Sequence, residues 1–236
     1  MSESAPDRRQ ILTAATVLAV AAPAAATAQA PAAPAGRPAP TFTPKPLPFD
    51  PKTVAGLSEK LLVSHHDNNY AGAVRRLGQI MGQFAALDPA AAPGFQLHGR
   101  KREELIAWNS MILHEVYFAG FGAPAAPSAA LAQAIERDFG SQARWAAEFS
   151  GMGKALGGGS GWVLLTWSPH DGRLANQWAA GHTMTLAGGA PLLALDMYEH
   201  AYQMDYGANA GGYVDAFMKA ASWKTASATF ERASRA

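Results

Sequence analysis

The run Gly157-Gly158-Gly159-Ser160-Gly161 divides the chain into two kinds of sequence. A helix does not continue through such a run, because each glycine costs about 1 kcal/mol against alanine. Before it the apolar residues recur at helical spacing. Over 57–87, Leu61, Leu62, Val74, Leu77, Ile80, Met81 and Phe84 fall three or four apart. Ser58 supplies a start and Asp88-Pro89 a stop. A second helix is predicted over 101–119, ended by the stretch 120–127, so the pair forms an antiparallel hairpin. Two amphipathic helices follow over 128–139 and 142–156. Beyond the glycines the pattern shortens: 162–167 and 174–180 flank Pro169-His170-Asp171-Gly172 and read as a β-hairpin. A third strand is expected over 192–197, with helix again from Glu199. The predicted fold is α+β: an N-terminal helical hairpin over 47–122, then a C-terminal α/β domain over 123–236 with a three-stranded antiparallel sheet.

The N-terminus reads as an address rather than as part of that fold. Asp7-Arg8-Arg9-Gln10-Ile11-Leu12 is a twin-arginine opening, followed by the apolar run 11–22. That run is too short for a bilayer core, which takes about 20 residues. Ala26-Thr27-Ala28 offers a peptidase site, and cutting after Ala28 leaves residues 1–28 as the signal. Cutting after Ala30 would place Pro31 directly behind the bond. The expected location is the periplasm or another exported compartment. The twin-arginine route carries folded chains, so a cofactor can be loaded before export. No membrane attachment is expected after signal removal. Residues 29–46, rich in alanine and proline, read as an extended linker, with order beginning near Leu47.

Charge and composition narrow the chemistry. Lys and Arg total 19 against 18 Asp and Glu, a formal charge of +1. That balance argues against a nucleic-acid partner, which would call for a strongly basic face. There is no cysteine, so disulfides, thiolate metal sites and thiol nucleophiles are excluded. Any metal must sit on His, Asp or Glu. His65 and His114 interrupt the apolar stripes of the two hairpin helices, where they can face each other across the seam. Asp196 follows the apolar strand residues 192–195, and a carboxylate there is costly unless it binds something. His200 comes one helical turn later. Taken singly, each histidine reads as a satisfied core or surface group. Together, three imidazoles and a carboxylate suit iron, manganese or zinc.

The segment Asp196-Met197-Tyr198-Glu199-His200-Ala201-Tyr202 resembles the D-x-W-E-H-A-Y signature of the iron/manganese superoxide dismutases. The resemblance spans about 47–225 and includes Leu57-Ser58, Gly159-Ser160-Gly161-Trp162, Gly212-Tyr213 and Trp223. It implies one Fe or Mn ion per subunit, bound by His65, His114, Asp196 and His200 with a solvent ligand. It also implies disproportionation of superoxide to dioxygen and hydrogen peroxide, and a homodimer through Glu199 and His200. Aromatic groups wall the family's site, and Trp162, Tyr117, Tyr198 and Phe118 fall at or near those places. Tyr198 and Phe118 stand where tryptophan is usual.

Around the metal the chain departs from the family. The glutamine that meets the solvent ligand is replaced by Ser110, too short to reach, or by His182, which is the expected solvent partner. The gateway histidine becomes Asn69 and its cross-subunit tyrosine becomes Gln203. An Asn–Gln amide pair can replace that hydrogen bond. The gateway tyrosine position is Ala73, which leaves the funnel wider unless Tyr70 turns in. Arginines at the mouth become Gly207 and Ala210, which weakens steering of an anionic substrate. The expected activity is dismutation, with His182, Tyr117, Trp162 and Tyr70 around the reaction. The alternatives are an exported metal-binding homologue with weak or no activity, and the same site working on peroxide. Residue types alone do not choose iron over manganese.

Overall fold

The structure is a computed structural model that describes Pro38 and residues 40–235. The expected signal 1–28 and the first half of the expected linker lie outside the described residues. No helix among the described residues is long and apolar enough to cross a membrane.

The first helical segment starts as its sequence predicts. Ser58 accepts from the Leu61 N–H, which satisfies one of the free donors at a helix start. Helix α1 (Glu59–Ser64) and helix α2 (Ala71–Ala85) are joined without a break by a π-helical turn, His65–Tyr70. The Ala71 N–H there reaches back five residues to the His66 carbonyl. The periodicity over 57–87 predicts uninterrupted α-helix here, and the wider turn changes the inner face. The inner face resumes at Tyr70, five residues after His65, and Asn69 is only partly buried.

Helix α3 (Gly94–Ala119) begins earlier than the predicted 101, with Pro93 at its cap position. Gly94 and Gly99 hide this start from a periodicity argument, and the first two turns bury nothing. Helices α4 (Ala129–Phe139) and α5 (Gln142–Ala155) begin at Ser128 and Ser141, whose hydroxyls each accept a helix N–H. Gly140, at φ 83°, ends α4 in the left-handed region open to glycine.

Three antiparallel strands follow: β1 (Trp162–Ser168), β2 (Arg173–Ala179) and β3 (Ala190–Asp196), in the order β2-β1-β3. Trp162 lies opposite both Ala179 and Asp196, so this register gathers three site-bearing segments at one end of the sheet. The β1–β3 register shifts between Leu165 and Thr166, where Pro191 pairs with Thr166 and has no N–H for the ladder. Gly161 has φ 139°, and a Cβ there would lie 2.3 Å from the Ala179 carbonyl oxygen. The chain closes with a 3-10 turn (Glu199–Ala201) and helices α6 (Gln203–Tyr206), α7 (Ala210–Ala220) and α8 (Lys224–Ala233). One continuous buried cluster, including Leu113, Phe149, Leu195 and Phe217, runs through both halves.

Order begins sooner than Leu47. Phe42 packs against the cluster of Leu77, Ile80 and Ala107 and meets Trp108 edge-on at 6.3 Å. Phe49 packs on Phe121.

Asp138 joins α4 to β2. Its carboxylate accepts two bonds from Arg137 and one from the Leu174 N–H, each 2.7 Å. Burial pushes this carboxyl up, but the Arg137 and Leu174 bonds outweigh it and hold it below the ordinary 3.8. Asp138→Ala should cost about 1–3 kcal/mol at neutral pH, since a buried N–H loses its acceptor. The folded carboxyl is the stronger acid, so its stabilisation is complete above the ordinary value. It fades as pH falls through the lowered one. Melting curves at pH 7 and pH 2.5 should therefore show a gap between variant and parent that narrows in acid. A constant gap would remove the carboxylate from the account.

Candidate metal centre

His65 opens the π-helical turn, His114 lies in the buried part of α3, Asp196 ends β3 and His200 stands in the 3-10 turn. Elements far apart in sequence thus deliver four polar groups to one place. Their ligand atoms all lie within 4.8 Å of one another. Asp196 Oδ2 is 3.2 Å from His65 Nε2, 3.6 Å from His114 Nε2 and 3.3 Å from His200 Nε2. His65, His114 and Asp196 are buried and His200 is partly exposed. The remaining Asp196 acceptors are in use: Oδ1 takes the Tyr198 N–H at 2.9 Å and the main-chain oxygen takes the Tyr213 hydroxyl at 2.8 Å.

Burial would raise the Asp196 carboxyl, yet the bonds from His200 and His65 hold it well below the usual range. It is a carboxylate at neutral pH. His114 is pushed down to about 3, by burial first and by neighbouring His65 next, so its ring is neutral. His114 Nδ1 donates to the Ser110 carbonyl oxygen at 2.6 Å, which leaves Nε2 without a proton. That nitrogen has no hydrogen-bond partner among the described residues, and it faces a carboxylate oxygen. A lone pair opposed to a buried anion is unfavourable with nothing between them. A cation relieves it, and imidazole with carboxylate is a donor set that suits Fe, Mn or Zn. His65 Nδ1 is likewise buried without a partner among the described residues.

Residues 127–229 match the family model of the iron/manganese superoxide dismutases, C-terminal domain. The chain is 63% identical over 191 residues to the iron superoxide dismutase of Cupriavidus metallidurans, covering 81% of this chain and 97% of that protein. It is 34% identical over 200 residues to manganese superoxide dismutase 1 of Halobacterium salinarum, covering 80% and 94%. The iron enzyme of Aquifex pyrophilus is 31% identical over 194 residues, covering 79% and 90%. The chain belongs to the iron/manganese superoxide dismutases.

The wall of this dismutase-family site is aromatic. Tyr117 and Phe118 lie 4.9 and 5.1 Å from the His65 ring, and Trp162 meets His114 edge-on at 5.3 Å. His182, Tyr198 and His200 form a stack, 4.8 and 5.5 Å apart and within 15° of parallel. His182 is thus partly buried in its loop rather than facing open water. Its Nδ1 accepts from Trp162 Nε1 at 3.0 Å, so the proton of the neutral ring sits on Nε2. Burial lowers its pKa and favours that neutral ring. Tyr117 and Tyr213, both raised by burial first, share a hydrogen bond of 3.3 Å and remain neutral phenols.

Two contributors escaped sequence reasoning. Asn109 Nδ2 donates to the His182 carbonyl oxygen at 2.5 Å and ties the His182 loop to α3. A lone asparagine beside exposed Trp108 reads as solvent face, so no signal marks it. Tyr213 supports Asp196 from behind, and its pairing with Gly212 was its only mark. Ser110 meets the His114 ring rather than reaching further.

Tyr70 is buried beside the site, with its ring 6.5 Å from His114, but its hydroxyl is engaged elsewhere, with Lys45 and Glu115. Ala73 is buried too. Asn69 is partly buried, while Gln203 and Glu199 are exposed. Gly207 is exposed and Ala210 is buried, so the latter is no part of a surface mouth in this chain.

Proposed function

We propose that the chain is an exported superoxide dismutase in which His65, His114, Asp196 and His200 hold one iron or manganese ion. The observation that carries this reading is the unprotonated His114 Nε2 opposed to the Asp196 carboxylate. When bound, either metal supplies reversible one-electron redox chemistry. Two superoxide anions and two protons give dioxygen and hydrogen peroxide. His182 presents its Nε2–H as the proton-bearing atom next to the site, and Trp162 and Asn109 keep that atom in place. Buried Tyr117, Phe118 and Trp162 exclude bulk water. The relative named for iron at 63% identity supports iron as the main metal.

A dimer through Glu199 and His200 fits the exposure of Glu199 and the 28% exposure of the His200 side chain. Export through the twin-arginine signal rests on the sequence of residues 1–28. Metal analysis of the native protein beside a superoxide-decay assay tests the activity. About one iron per subunit with decay far above the uncatalysed rate is expected. Bound metal with an uncatalysed rate would give preference to the metal-binding homologue. Light scattering on the same sample reports the dimer, and cell fractionation reports export.

A further inference from the structure

In Pro44-Lys45-Pro46 only the central residue has a peptide N–H. That N–H donates to the Tyr70 hydroxyl at 2.9 Å. The Lys45 carbonyl oxygen accepts from His66 Nε2 at 2.8 Å. One residue outside the helical hairpin therefore holds both ends of the π-helical turn, since His66 is its second residue and Tyr70 its last. The Tyr70 hydroxyl in turn donates a hydrogen bond to Glu115 Oε1 at 3.0 Å, and Lys45 Nζ meets Glu115 Oε2 at 2.5 Å. Glu115 directly follows His114. The network thus touches the neighbours of two site histidines and binds α3 to the turn.

Single π-helical turns are rare and recur at functional sites. They add a residue to a helix whose backbone would otherwise close with the ordinary spacing, so outside contacts have to favour them. Here the turn decides which side chains share the inner face: with it, His65 and Tyr70 do, while Asn69 is partly exposed. We infer that Lys45 is a positioning residue for the metal centre, its peptide group stapling the π-helical turn that presents His65. This rests on the reading of His65 as a metal ligand. The staple is the peptide rather than the ammonium group, whose ion pair with Glu115 is 71% and 26% exposed and so contributes little.

Three variants of the full iron-loaded protein separate these parts. Lys45→Pro removes the N–H and the ammonium group while suiting the extended backbone between two prolines. Lys45→Met removes the ammonium group alone, and Tyr70→Phe removes the hydroxyl. Iron loss to excess EDTA is followed by the metal-centred absorption, which needs no activity. Lys45→Pro and Tyr70→Phe should each speed iron loss about 10-fold, the lower end for groups that orient ligands. Their double variant should be no faster than either, and Lys45→Met should stay within about twofold of the parent on the same grounds. Parent-like iron loss from Lys45→Pro overturns the inference, as does equal acceleration by Lys45→Met. If Lys45→Pro does not fold, Tyr70→Phe decides: parent-like release overturns the staple. Superoxide decay on the same samples separates the two readings. An inactive parent with the expected release pattern sinks the dismutase and leaves the staple standing.

Discussion

His114→Ala is expected to abolish metal retention and superoxide decay together. His114 supplies a site nitrogen, Nε2, that has no hydrogen-bond partner among the described residues, and it closes the site from the α3 side. Its loss removes one of four converging donors and leaves Asp196 with two imidazoles at 3.2 and 3.3 Å. Groups that only orient a ligand are worth about 10–100-fold in metal affinity, so loss of a ligand itself should exceed 100-fold. The variant should still fold, because Tyr117, Phe118 and Leu113 on the same helix keep their burial. Removing a buried ring nevertheless costs roughly 3 kcal/mol through the cavity it leaves. Metal content by elemental analysis, superoxide decay and a melting curve read the three consequences. A full metal complement in His114→Ala would show that the four-donor site is wrong.

His182→Ala should do the opposite with the metal: keep it, and lose turnover. His182 is not among the four converging donors, and its ring lies 6.4 Å from that of His114. Its contribution is a proton on Nε2, held there because Trp162 Nε1–H occupies Nδ1. A fall in turnover of about 10–100-fold is expected, with a changed potential and metal-centred spectrum. Trp162→Phe should reproduce part of the effect, since it frees the ring to place its proton on either nitrogen. An unchanged rate, spectrum and potential in His182→Ala would make the ring a packing element beneath Tyr198.

These two expectations differ in how early they can be read. The four polar side chains are legible because each breaks a local pattern: His65 and His114 interrupt apolar stripes, and Asp196 closes an apolar strand. The strands are legible because a period of two and the turn residues 169–172 are local too. The start of α3 is not, because its first turns bury no side chain and so carry no apolar stripe. Asn109 is equally silent, since what identifies it is the His182 carbonyl 73 residues away.

The same division holds for the whole molecule. The sequence by itself determined the α+β class, the approximate positions of most elements and the residue types able to hold a metal. Those follow from periodicity, capping and donor chemistry, all of which act over a few residues. Only the tertiary structure decided the π-helical turn, the grip of Lys45 on both its ends and the proton position on His182. The physical reason is that local preference alone favours the ordinary α-helix over 65–70, π-helical turns being rare. Contacts from residues 45 and 115, distant in sequence, hold the wider turn, as Trp162 fixes the His182 proton, and these effects exist only once the chain is packed.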